Sequence, residues 1–92
     1  METPALSVDA RIQAVAADLH AAVIASAGAM KMSGDLRVSE ESAAQLLGIS
    51  RPYLKMLRQA GKAPPSYARG VGGGRVSYRL IDLASWIEGA RP

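Results

Sequence analysis

Apolar residues recur at alternating steps of three and four through the first third of the chain, at Val8, Ile12, Val15, Leu19 and Val23, continuing to Ser26 or Met30. This stripe predicts one long, alanine-rich amphipathic helix over roughly Pro4 to Met32. Pro4 suits a first helical turn, Ser7 or Thr3 can cap it, and Ser33-Gly34-Asp35 supply a stop and a link. The pattern then changes. Leu36-Arg37-Val38 alternates as a short strand would, and Ser39 can cap a helix opened by Glu40-Glu41, whose carboxylates favour the positive end of the helix dipole. Ala43, Ala44 and Leu47 share one face of that helix. Gly48 breaks it, and Ser50 caps a second short helix that carries Arg51-Pro52 in its first turn and runs to about Ala60, before Gly61.

Ala63-Pro64-Pro65 cannot extend a helix. Ser66-Tyr67-Ala68-Arg69, a glycine-rich turn from Gly70 to Gly74, and Arg75-Val76-Ser77-Tyr78-Arg79 together predict a β-hairpin. In its second strand the two-residue period turns Val76 and Tyr78 inward and Arg75, Ser77 and Arg79 outward. A last helix over about Ile81 to Glu88 offers Leu83, Trp86 and Ile87 to the same core and ends at Gly89. The expected architecture is mainly α with a small β-hairpin. Residues 1–35 form the N-terminal helix and its linker, and residues 36–92 a second unit.

Composition narrows the possibilities. A chain of 92 residues with 49% hydrophobic but only 4% aromatic residues has room for one core, built mostly from alanine and aliphatic side chains. Absence of cysteine removes disulfides, thiolate metal sites and cysteine nucleophiles, and a lone His20 assembles neither a zinc site nor a proton relay. No cofactor or metal is expected. Charged residues interrupt the N-terminal segment before any signal-like apolar run, and Ala21 to Met30 is too short to span a bilayer, so a soluble cytoplasmic protein is expected.

The net charge of +3 is modest, but its distribution is not even. Arg51, Lys55, Arg58, Lys62, Arg69, Arg75 and Arg79 follow one another with no acidic residue between them. The pattern Ala43, Ala44, Leu47, Gly48, Ile49, Leu54, Leu57 resembles the helix-turn-helix of DNA-binding proteins, with a small Ala44 for close approach and Gly48 for the turn. At about 100° per residue, a helix with Leu54 and Leu57 inward turns Pro52, Met56 and Gln59 outward and sets Arg51, Lys55 and Arg58 along one flank. A helix of this kind fits the major groove. Arg51, Lys55 and Gln59 are the candidates for base contacts, with Arg58, Tyr53 and the Ser50 hydroxyl directed to the DNA backbone.

The longer run from Val38 to Ile87 resembles the winged helix-turn-helix of the MerR and phage-excisionase group, including its AlpA-like regulators. The matching pieces are VSEESAAQLLGISRPYLKMLRQAGK for the two helices, PPSYARGVGGGRVSY for the wing and RLIDLASWI for the closing helix. The resemblance implies a wing whose Arg69, Arg75 and Arg79 reach phosphates or a minor groove. No Lys-Ser or Lys-Thr follows the glycines, so the loop is not read as a nucleotide cradle. Adjacent Glu40 and Glu41 diverge on a helix and are read as dipole partners, and Tyr78 and Trp86 as core. Nothing resembles a catalytic set.

Double-stranded DNA is therefore the expected partner, bound by a transcriptional regulator or an excisionase-like factor. One such module contacts few base pairs, so a homo-oligomer or a cooperative array on DNA is expected. The stripe Val8, Ile12, Val15, Leu19, Val23 either forms a seam between copies or covers the chain's own core. SRPYL also resembles the DNA-binding halves of some antitoxins, which leaves an antitoxin or adaptor as the alternative, with a toxin or a recombinase as candidate protein partner.

Overall fold

The computed structural model describes residues 7–68 and 75–89. Helix α1 spans Val8–Ala25, and Ser7 caps it by accepting a hydrogen bond from the Ala10 amide at 3.0 Å. The helix stops well before the expected Met32. Ser26 turns its hydroxyl back to the Val23 carbonyl and accepts from the Met30 amide, while Ala27 and Gly28 take positive φ values of 53° and 93°. Alanine propensity would allow the helix to continue, but the reversal lets Met30 and Met32 pack against the core.

Strand β1 (Arg37–Ser39), helix α2 (Glu40–Leu47) and helix α3 (Arg51–Gln59) follow. Ser39 and Ser50 cap the two helices as expected, accepting from the amides of Ser42 and Tyr53. Between the helices Gly48 adopts φ 74°, and the amide of Ile49 returns to the Ala44 carbonyl at 3.0 Å. A residue with a Cβ pays a backbone penalty in that conformation, so the turn depends on glycine. α3 ends at Gln59 with Ala60 as its cap, and Gly61 follows at φ 72°, as the breaker pattern requires.

Strands β2 (Tyr67–Ala68) and β3 (Val76–Arg79) pair antiparallel, and β1 adds to the other edge of β3 to give the order β1-β3-β2. Val38 faces Tyr78 and Arg37 faces Arg79 across the β1–β3 ladder. The glycine-rich turn and Arg69 lie outside the described residues. Helix α4 (Leu80–Gly89) closes the chain. The protein is thus mainly helical with a small three-stranded antiparallel sheet.

One core joins these elements. Leu19 and Val23 of α1, Val38 of β1, Ala43 and Ala44 of α2, Leu54 of α3, Tyr78 of β3, and Leu80, Leu83 and Ala84 of α4 are all buried in it. Ile12 and Val15 pack at its margin, against which α1 lies along α4 with an Arg11–Glu88 ion pair of 3.5 Å. The N-terminal stripe therefore covers the chain's own core, and only Val8 of the five stripe residues stands exposed. Trp86, expected in the core, is only half-buried. Its indole N–H donates to the Lys62 carbonyl at 3.2 Å, in an exposed contact. Among the described residues, no helix is long and apolar enough to cross a membrane.

Candidate nucleic-acid interface

The short turn between α2 and α3, anchored by Leu54 in the core, leaves the opposite side of α3 to solvent. Arg51, Pro52, Tyr53, Lys55, Met56 and Gln59 are all exposed there, with Tyr53 at 47% and Met56 at 52% despite their apolar bodies. Ser50 is exposed too, and one of its lone pairs is taken by the Tyr53 amide while its O–H stays available as a donor.

An open cleft of about 580 Å³ separates α3 from β3. Arg51, Lys55 and Arg58 line it from α3, Arg75 and Val76 from the hairpin, and Ser39, Glu40 and Glu41 from the start of α2. Four of the expected basic residues, drawn from two elements distant in sequence, are thereby brought to one place. Arg79 is not among them. Its guanidinium stacks on the Tyr67 ring, 5.0 Å from the centroid, beside Arg37 at 4.5 Å, and the Tyr67 hydroxyl donates to Asp82. Arg37 is in turn paired with Asp35 at 2.7 Å.

Arg58 also departs from expectation. Rather than standing free for a phosphate, its Nε donates to Oε2 of Glu40 at 2.7 Å and its Nη2 to Oε1 at 3.4 Å. The Tyr78 hydroxyl donates to the same Oε2 at 2.9 Å. Burial by itself would raise the pKa of Glu40, yet the hydrogen bonds from Arg58 and Tyr78, with the charges of Arg58 and Arg51, outweigh it and hold the carboxyl below the usual carboxylate range. The hydrogen bond to Glu40 raises Arg58 further above its ordinary value. Burial and donation to Glu40 push Tyr78 strongly upward. The carboxylate is charged and the phenol neutral across the physiological range.

Glu40 was expected only to favour the helix dipole, and Tyr78 only to fill the core. A signal for more was present in Tyr78 itself, because a buried tyrosine normally finds a partner for its hydroxyl. Among the described residues, no group of three potential metal ligands converges. No family model, curated protein or solved structure matches this chain.

Proposed function

We propose that the protein is a sequence-specific DNA-binding protein of winged helix-turn-helix type, a transcriptional regulator or an excisionase-like factor, acting in the cytoplasm by binding and not by catalysis. The observation that carries this reading is the convergence of Arg51, Lys55 and Arg75 on one open cleft beside an exposed helix N-terminal half. α3 then lies in the major groove, with Arg51, Lys55 and Gln59 directed to base edges. The hairpin meets the flanking backbone through Arg75. Exposed Tyr53 and Met56 give the same face apolar area for thymine methyl groups and sugars. Several copies act together, because one helix reads too few base pairs for useful discrimination.

The antitoxin or adaptor alternative requires a free apolar face on α1. Leu19 and Val23 are spent inside the chain, and the large apolar residues that α1 exposes are Val8 and Ile24. The observations therefore favour DNA.

Binding to random-sequence duplex DNA as a function of salt tests the reading. Log affinity should fall linearly with log salt by about 0.9 for each phosphate neutralised, and Arg51→Ala/Lys55→Ala should lower the slope. Absence of salt-dependent binding at low ionic strength would remove the proposal.

A further inference from the structure

Four cations line the cleft, and the geometry separates one of them from the rest. Arg58 borders the cleft together with Arg51, Lys55 and Arg75. Its guanidinium is nonetheless forked onto the two oxygens of Glu40, whose side chain is only 7% exposed, against 28% for that of Arg58. Tyr78, fully buried, donates to Oε2 of the same carboxylate from β3. Glu40 opens α2, Arg58 lies in the last turn of α3, and Tyr78 lies in β3, so three elements meet at one carboxylate.

Resting on the DNA reading, we infer that Glu40 withholds Arg58 from the DNA backbone and uses it to set α3 against β3, making Glu40, Arg58 and Tyr78 positioning residues for sequence discrimination. Two physical points carry this. A guanidinium that left for a phosphate would take two hydrogen bonds from a desolvated carboxylate, whereas Arg51, Lys55 and Arg75 are exposed and Arg51 supports Glu40 through its charge alone. A forked arginine–carboxylate pair is also planar and directional, so it restrains the orientation of the helix that carries it. The end of α3 is thereby held to the sheet, and its other end, bearing Arg51 and Lys55, is aimed relative to Arg75. With Arg58 neutralised, the cleft offers its charge through Arg51, Lys55 and Arg75 alone, and indiscriminate attraction to DNA is reduced.

The experiment compares the full-length chain with Glu40→Gln, Arg58→Ala and Arg51→Ala on two probes, a random-sequence duplex pool and the duplex that the wild type selects from it. Arg51→Ala should lower the salt slope on random DNA, which tests the reading underneath. Arg58→Ala should leave that slope unchanged while the preference for the selected duplex falls. Glu40→Gln keeps the shape of the side chain but frees the charge of Arg58. It should steepen the slope by about one contact, an extra three- to fourfold loss of affinity for a fourfold rise in salt, and bind random DNA more tightly than wild type does. A merely structural defect weakens both probes together and does not steepen a slope. The inference is overturned if Arg58→Ala lowers the slope as Arg51→Ala does, or if Glu40→Gln, folded by its thermal transition, changes neither slope nor preference. Should Glu40→Gln not fold, the slope of Arg58→Ala decides alone. A wild type that binds neither probe overturns the DNA reading itself and, with it, this inference.

Discussion

Nε of Arg58 lies 2.7 Å from Oε2 of Glu40, a residue eighteen positions earlier in the chain, and the pair ties the end of α3 to the start of α2. Removing the guanidinium with Arg58→Ala leaves a buried acceptor short of its strongest donor. A loss of about 1–3 kcal/mol is expected for such a group and is measurable by urea denaturation. Arg51→Ala, at an exposed position of the same helix, should change stability by less than about 0.5 kcal/mol.

The same carboxylate predicts an acid limb in stability. Glu40 is held below its ordinary value of 4.5, so its contribution is present above that pH and is lost as the pH falls through the depressed folded-state value. Thermal melts from pH 6 downward should show the loss, and Glu40→Gln should flatten that part of the profile. Tyr78 runs in the opposite sense. Its folded-state pKa is raised above the ordinary 10.0, so its contribution is complete below pH 10 and is lost as the pH climbs towards the raised value. Tyr78→Phe should remove this alkaline limb.

Gly48 offers a test of the turn that is independent of packing. A Cβ built there meets no atom within 4 Å, so the cost of Gly48→Ala comes from the backbone at φ 74° alone. About 1–2 kcal/mol of destabilisation is expected, and Gly48→Asn should cost less because asparagine tolerates this conformation better. A neutral Gly48→Ala would mean that the α2–α3 turn adopts another geometry in solution.

Leu19 and Val23 distinguish a covered core from a seam between copies. Each is buried against elements of its own chain, so Leu19→Ala should destabilise by about 2–5 kcal/mol, with a melting temperature that does not depend on protein concentration. Concentration-dependent melting in the parent chain that Leu19→Ala abolishes would instead place this stripe between subunits.

Stacking on Tyr67 sets Arg79 apart from the cleft, and this gives Arg75 and Arg79 different expected behaviour. Arg75→Ala should lower the salt slope of DNA binding by about 0.9, while Arg79→Ala should act mainly through the lost stacking on the Tyr67 ring. Equal reductions from the two variants would extend the interface along the whole face of β3.

Local chemistry was sufficient for the elements themselves. Ser7, Ser39 and Ser50 cap helices where a hydroxyl precedes an apolar-periodic run, Gly48 and Gly61 end two of them in left-handed geometry, and the alternation around Tyr78 yields a strand with that ring inward. These signals act within about four residues, so they are written in the sequence as spacing. The basic run from Arg51 to Arg79 likewise contains the four cations that line the cleft, Arg51, Lys55, Arg58 and Arg75. Tertiary structure decided what the spacing could not encode. It spent the stripe of α1 on α4 and the core, drew Arg75 up to the cleft beside Lys55, removed Arg79 to Tyr67, and gave Arg58 to Glu40 and Tyr78 across separations of eighteen and thirty-eight residues. A side chain's periodicity says which way it faces on its own element. Which charge or hydroxyl waits there depends on how separate elements pack, and a buried carboxylate selects its partners only once that packing has taken its water away.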